Sequence, residues 1–537
     1  MQINSIIIVG GGSSGWFTAA ALNKHIPEMK VTLIESPDIS TIGVGESTNL
    51  NINWFLQSLD VQDEDWMPHC DATYKATIKF TDFHKKGEFF HFPFGQQDLS
   101  FTNIGNEKET LPIGSDAWSF KKLMYPDTPQ TDFAESFWPA MQMVNKNKVH
   151  SNENHAIPEF NMKNDWAYQF DATKLGNWMK TNLCSNTKHI LDHVTNVNLD
   201  EHGWISSLST KKNGELTADL YIDCTGFSSM LLEKTLEIPY VSYEDMLINN
   251  AAWATKIPYV DPNTEMELTT NCTGINNGWV WNVPLFSRIG SGYVYSDTFV
   301  DKEKALKEHK EHLKNSNQWC KDNDVEELEF RHIDSKNGMH EKAWHKNCLA
   351  IGLSYSFIEP LESQSLVFTI EALRKMLIVL QSKDRHVNQF DRECVNGEMR
   401  TKMENCKYFI TYHFAGSIRD DTEYWRWYTQ KLDFDWDNIS KLKFWESISR
   451  MRFNEPTFNN GTFLGIQCIS IGHHINLYTD YTTKSSDGFN TYLNFCKHHG
   501  IDKIFEYWKE RNKKISLLAD KSPTHYKYLK EKIYKTD

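Results

Sequence analysis

No CxxC pair occurs among the ten cysteines, at Cys70, Cys184, Cys224, Cys272, Cys320, Cys348, Cys394, Cys406, Cys468 and Cys496. Cysteines scattered in this way read as reduced thiols, not as a disulfide frame or a zinc site. The pairs His473–His474 and His498–His499 have no companion ligands at metal spacing, so no metal site is expected. Apolar runs are short, and none approaches the ~18 residues of a membrane-spanning helix. Positive charge is also in deficit: 57 Lys and Arg stand against 71 Asp and Glu, a net charge of −14. An acidic chain repels phosphate backbones, which argues against nucleic acid as a partner. The lysines from Lys527 to Lys535 form a local solvated face. No secretion signal precedes the first strand, and there are no internal repeats or low-complexity linkers. These absences together predict a cytoplasmic protein with no membrane partner. A homo-oligomer is compatible with them.

Size and core are ample. The 537 residues suffice for one large domain or two to three ordinary ones, and 40% are hydrophobic. Aromatics make up 13%, with 18 tryptophans, which allows aromatic-lined pockets as well as aromatic packing. The strongest local signal is "SIIIVGGGSSGWFTAAAL" from Ser5. An apolar strand leads into Gly10, Gly12 and Gly15, which fit GxGxxG. The first glycine allows the turn, the second lets a pyrophosphate approach, and the third lets helix and strand pack. The positive end of the following helix faces the phosphates. "VTLIES" is a second apolar strand, ending in Glu35, placed to accept from ribose hydroxyls. Gly11 to Gly15 also matches GxSxG, an accident of the glycine run with no Ser-His-Asp set beside it.

Later segments point to FAD over NAD. "YIDCTGFSSML" brings an apolar strand to Asp223, Thr225 and Gly226, and resembles the second nucleotide-contact segment of FAD-dependent monooxygenases. "TIGVGEST" is a glycine-rich loop that includes Gly45 and Glu46, and Gly352 is taken as a further cofactor contact. Mid-chain, "WVWNVP" sets Trp279 and Trp281 on one side of an extended strand that Pro284 terminates.

On these stretches the chain resembles the flavin-dependent halogenases, best known from the tryptophan halogenases. The resemblance rests on "VGGGSSGWFTAAAL", "GVGEST", "ATIKF" and "WVWNVP", the last similar to a WxWxIP signature with Val283 in place of isoleucine. "FIEPLES" and "HFAGSIRDDTEYW" add support, and the matches run from residue 1 to about 425. It implies an α/β fold: an FAD-binding Rossmann-type (GR2/monooxygenase-like) module with a largely helical substrate-binding module. We place a discontinuous FAD-binding module over 1–385, with substrate-side insertions at about 60–150 and 240–325, and a mainly helical carboxy-terminal module over 386–537.

The resemblance also implies chemistry. FADH2 from a separate, transiently bound flavin reductase meets O2 and forms a C4a-hydroperoxide, which a halide ion attacks to give hypohalous acid. Lys79, in the family's catalytic-lysine position, then delivers the halogen to a small electron-rich aromatic, an indole or phenol. Glu362 polarises the oxidant or takes the ring proton. A buried lysine shifted toward neutrality is a nucleophile, and a charged one a hydrogen-bond donor. Glu362 just precedes a helical run that Ser363 could cap, so the helix dipole would keep it ionised. Trp279 and Trp281 would form a stiff wall between flavin and substrate, with plain core packing as the simpler role. His91 and Phe92 are expected to line the substrate pocket, with Trp425, Trp427, Trp436 and Trp445 as further stacking candidates.

One departure stands out. "ESQSL" replaces the "ESTG" usual in tryptophan halogenases, so Gln364 and Ser365 occupy the expected halide site. Either the halide sits differently, or another halide is preferred, bromide or iodide being larger and more easily oxidised than chloride, or halogenation is lost. The competing functions are a flavin-dependent aromatic monooxygenase, which would have no use for Lys79, and a non-catalytic FAD-binding relative.

Overall fold

The computed structural model describes residues 1–38, 45–98, 121–436 (except 123), 460–475 and 500–536, with isolated positions at 118, 494, 497 and 498. Trp445 lies outside them.

A six-stranded sheet carries the amino-terminal module. Its order is Trp344–His345, Cys348–Ala350, Leu220–Asp223, Ser5–Val9, Lys30–Glu35 and Thr187–Leu191, parallel except for the first pair. The apolar run Ile6–Val9 is buried because helices and a second apolar cluster cover both faces of the sheet. Helix Ser13–His25 follows the turn and is buried from Gly15 to Leu22. Its small Ala19, Ala20 and Ala21 let helix Ser365–Ser382 pack close.

A second, seven-stranded sheet runs Arg331–Asp334, Ala251–Ile257, Ile289–Tyr295, Gly278–Pro284, Thr269–Gly274, Thr77–Thr81 and Phe89–Pro93. Only the Thr269–Gly274 and Thr77–Thr81 pair is parallel. A third, small sheet joins Glu46–Ser47, Ala167–Phe170 and Thr73–Lys75. The mixed α/β architecture is the one expected.

The main core is continuous from Ile3 to Ile533, so the carboxy-terminal helices are not packed apart from the rest. Helix Ile501–Lys521 lies on the segment after residue 130, where Arg511 reaches Asp98 at 2.7 Å. Gln389–Ala415 is a 27-residue helix opened by a capping box between Asn388 and Asp391.

Candidate active site

The dinucleotide turn has the shape its glycines require. Gly10 has φ of +113°, and a Cβ there would come within 2.2 Å of the Cys224 carbonyl oxygen, so turn and neighbouring strand approach as only glycine allows. Gly352, at φ +70°, brings its turn against Ser14 at the start of the first helix, where a Cβ would meet Ser14 Oγ at 2.1 Å. Gly12 is the residue before that helix and Gly15 lies buried in its first turn. At the end of its strand, Glu35 takes His189 Nε2 at 2.7 Å and Lys180 Nζ at 3.3 Å on Oε1. Its Oε2 lies over Gly11, on the turn itself. A dinucleotide with a diphosphate over the turn and a ribose at Glu35 fits this cradle.

Asp223 is different. Its carboxylate accepts from Thr225 N and Oγ1 through Oδ1 and from the Leu231 and Leu232 amides through Oδ2, all within 3.0 Å, and the residue is fully buried. The side chain expected to touch the cofactor instead folds the loop that starts at Gly226. Gly45 packs against Val283 and Leu285, next to the end of the tryptophan strand. Glu46 follows it on the small sheet, its carboxyl pushed up to about 7 by desolvation and then by Asp171.

The tryptophan strip explains itself through Glu359. Trp279 and Trp281 do share one face, with ring centroids 6.2 Å apart. Trp279 is wholly buried and donates its indole N–H to Glu359 Oε2 at 2.9 Å. Asn249 Nδ2 donates to the same oxygen at 2.8 Å, and Asn337 Oδ1 accepts the Glu359 amide at 2.7 Å. Glu359 begins the turn that ends in Glu362 and Ser363. Burial pushes its carboxyl up to about 7, against the pull of those two donors.

Glu362 is 2% exposed, in the short turn Pro360–Glu362. Its Oε1 lies 2.7 Å from His413 Nε2, near the end of the 27-residue helix. His413 Nδ1 lies 2.9 Å from the Phe409 carbonyl oxygen, which can only accept, so Nδ1 carries a proton. Nε2 is thus the ring nitrogen that faces Glu362. Ser363 does not cap the next helix. It sits at φ +57°, in the left-handed region, and its Oγ accepts from Lys75 Nζ at 3.0 Å.

Lys75, not among the expected residues, is the lysine that meets the Glu362–Ser363 turn. It is fully buried, donates also to the Thr48 carbonyl at 2.8 Å, and lies over the Phe94 ring at 4.8 Å. Burial pulls its pKa down to about 7, while Glu362 and then Cys272 hold it up. Cys272 lies beside Trp281 in register, on the same face of the large sheet.

Lys79 stands on the opposite face. It is in register with Asn271, and Asn271 with Asn282, which alternates with Trp281. Its ammonium lies 4.3 Å from the centre of the Phe89 ring and it is half-buried. His91 faces Lys79 across the strands and is pushed down to about 3 by burial and then by Lys79. Phe92 points the other way, into the core, edge-on to Phe94 at 5.8 Å. Lys79 and His91 thus lie on the sheet face opposite Trp281 and Cys272. Of the stacking candidates, Trp425 is buried core, donating to the Ile275 carbonyl, and Trp436 is 48% exposed.

The sequence signal for Lys75 was present. "YKATIKF" offers two lysines four apart, which one continuous strand would put on one face. The chain breaks at Ala76, whose amide and carbonyl go to Leu268 and Phe94, and changes sheets there. His413 was within a quoted stretch, but its partner is 51 residues away in sequence.

Gln364 and Ser365 open helix Ser365–Ser382; Gln364 makes no side-chain cap, and the first turn holds no acid.

A dinucleotide cradle on a parallel sheet, with a buried lysine and carboxylate in the same core, suits a flavin-dependent oxidoreductase. The chain belongs to the tryptophan halogenase family, whose model, "Tryptophan halogenase", matches residues 5–468. It is an enzyme of the flavin-dependent halogenases. Tryptophan 6-halogenase SttH of Streptomyces toxytricini is 33% identical over 79% of this chain and 80% of its own. The VirX1 apo structure superposes with a TM-score of 0.87 at 35% identity over 100% of both chains. Tar14, a tryptophan C-6 flavin-dependent halogenase (chlorinase) from taromycin biosynthesis, does so with a TM-score of 0.78 at 27% identity, covering 98% and 99%.

Proposed function

We propose that the chain halogenates an electron-rich aromatic of the indole or phenol class, and that Lys75, not Lys79, handles the halogen. The observation that carries this reading is the Lys75 amine, buried against Ser363 and within the field of Glu362. Bound as FADH2, supplied by a separate reductase, the flavin would with O2 provide the oxidising equivalents that turn halide into hypohalous acid.

The chain's own residues do the rest. Gly10, Gly12, Gly15, Glu35 and Gly352 hold the cofactor at the turn. Lys75, near neutrality at about pH 7, is both nucleophile and hydrogen-bond donor, so it captures the small oxidant either way. Glu362 turns one oxygen to His413, which leaves Oε2 to take the ring proton as halogen adds. Trp279 and Trp281, beside Cys272 on the inner face, keep the organic substrate off the flavin. The uncapped start of Ser365–Ser382 supports a halide there, and bromide or iodide is the halide proposed, both being more easily oxidised than chloride. The nine described cysteines are all free, which supports a reducing, cytoplasmic setting.

The test is mass spectrometry of an indole and phenol panel incubated with enzyme, flavin reductase, and chloride, bromide or iodide in turn. Halogenated product that is lost in Lys75→Ala and kept in Lys79→Ala is expected. A hydroxylated product independent of halide would overturn the proposal.

A further inference from the structure

The histidine pair at the end of helix Asn460–Gly472 has companions that the linear sequence conceals. The turn between strands Thr77–Thr81 and Phe89–Pro93 carries His84 and Glu88, and it meets His473 and His474. His84, Glu88 and His474 each offer one ligand atom, and these atoms all lie within 4.8 Å of one another. His474 Nε2 stands 3.2 Å from Glu88 Oε2, and the His84 and His474 rings stack at 4.5 Å. Among the described residues no other group of three meets this condition.

The surroundings suit a ligand set. His84 is 5% exposed and hydrogen-bonds the Gly416 backbone. Its own carbonyl accepts from Ser417 Oγ at 3.1 Å and the Ile418 amide at 3.2 Å, so the ring is held from behind. The buried His473 stands behind His84, its Nδ1 3.4 Å from His84 Nδ1. Glu88 and His474 are 40% and 46% exposed, which gives an ion a path in from solvent. Two imidazoles and a carboxylate are a donor set for zinc and its neighbours, with a fourth place left for water.

We propose that His84, Glu88 and His474 bind a divalent transition-metal ion of the zinc class. The ion serves as a clamp. It ties the turn after Thr81 to the end of the helix whose Gly472 lies against the Phe90 ring. It takes no part in halogen transfer.

The test uses untagged full-length protein, stripped with a chelator and titrated with Zn2+ by calorimetry, with thermal unfolding in parallel. One equivalent bound, with a higher Tm, is expected. Glu88→Gln and His474→Ala, at half-exposed positions, each weaken binding at least tenfold. Both still halogenate at the wild-type rate. Sub-stoichiometric binding by the wild type, or affinity unchanged in both variants, overturns the proposal.

Discussion

At the residue scale, the difference between Lys75 and Lys79 is one of environment. Both are lysines in the same seven-residue stretch, but one is wholly buried beside a carboxylate and the other half-buried against a phenyl ring. Replacing Lys75 with alanine should therefore abolish aromatic halogenation while FAD binding and oxygen uptake by reduced flavin continue, as measured by fluorescence titration and an oxygen electrode. Replacing Lys79 should leave product formation within a few-fold of wild type. Glu359 gives a pH signature. Its folded pKa of about 7 lies above the unfolded value near 4.5, so the native state holds its proton longer. The stability this brings is complete below the unfolded pKa and is lost as pH rises through about 7. Glu359→Gln removes the titration. Thermal unfolding at pH 5 and pH 8 should show the wild type losing ground to the variant as pH rises, by at most about 3 kcal/mol.

At the scale of the element, the strand Gly278–Pro284 does more than fill the core. It anchors the turn that carries Glu362 through one indole N–H. Trp279→Phe keeps most of the ring but removes that donor. At pH 8, where Glu359 is mostly ionised, a hydrogen bond to it is worth about 1.5–3 kcal/mol. The variant should unfold at lower temperature by a corresponding amount and halogenate more slowly, with flavin oxidation unchanged. If differential scanning calorimetry finds no loss, the strand acts by packing alone. The chain break at Ala76 belongs to the same scale. Alternation is an argument about one strand, and it fails when a single residue hands the chain from one sheet to another. That is why Lys75, legible as a lysine, was not legible as the buried one.

For the whole molecule, the carboxy-terminal helices and the amino-terminal half share one core, and one ion pair bridges them in its interior. Arg511 and Asp98 are both nearly fully buried, and Arg511 also donates to the Glu135 and Ser136 carbonyls. Arg511→Met removes the buried cation facing Asp98, while the Tyr507 hydroxyl still donates to it at 3.0 Å, and breaking the pair should cost about 3–5 kcal/mol. Thermal unfolding should register the loss, and limited proteolysis should cut first near helix Ile501–Lys521. The seam belongs to no single module, so the boundary drawn at residue 385 divides the chain but not its core.

By itself the sequence determined the dinucleotide turn, the order of strand, helix and acid, the paired tryptophans and the family resemblance. Each is a short-range pattern, written by backbone geometry or by side chains a few residues apart. Only the tertiary structure decided which lysine is buried, that Asp223 shapes a loop, that Glu359 is the partner of Trp279, and that His413 stands against Glu362. Those outcomes depend on desolvation and on partners far apart in the chain, and neither is a property of any local stretch.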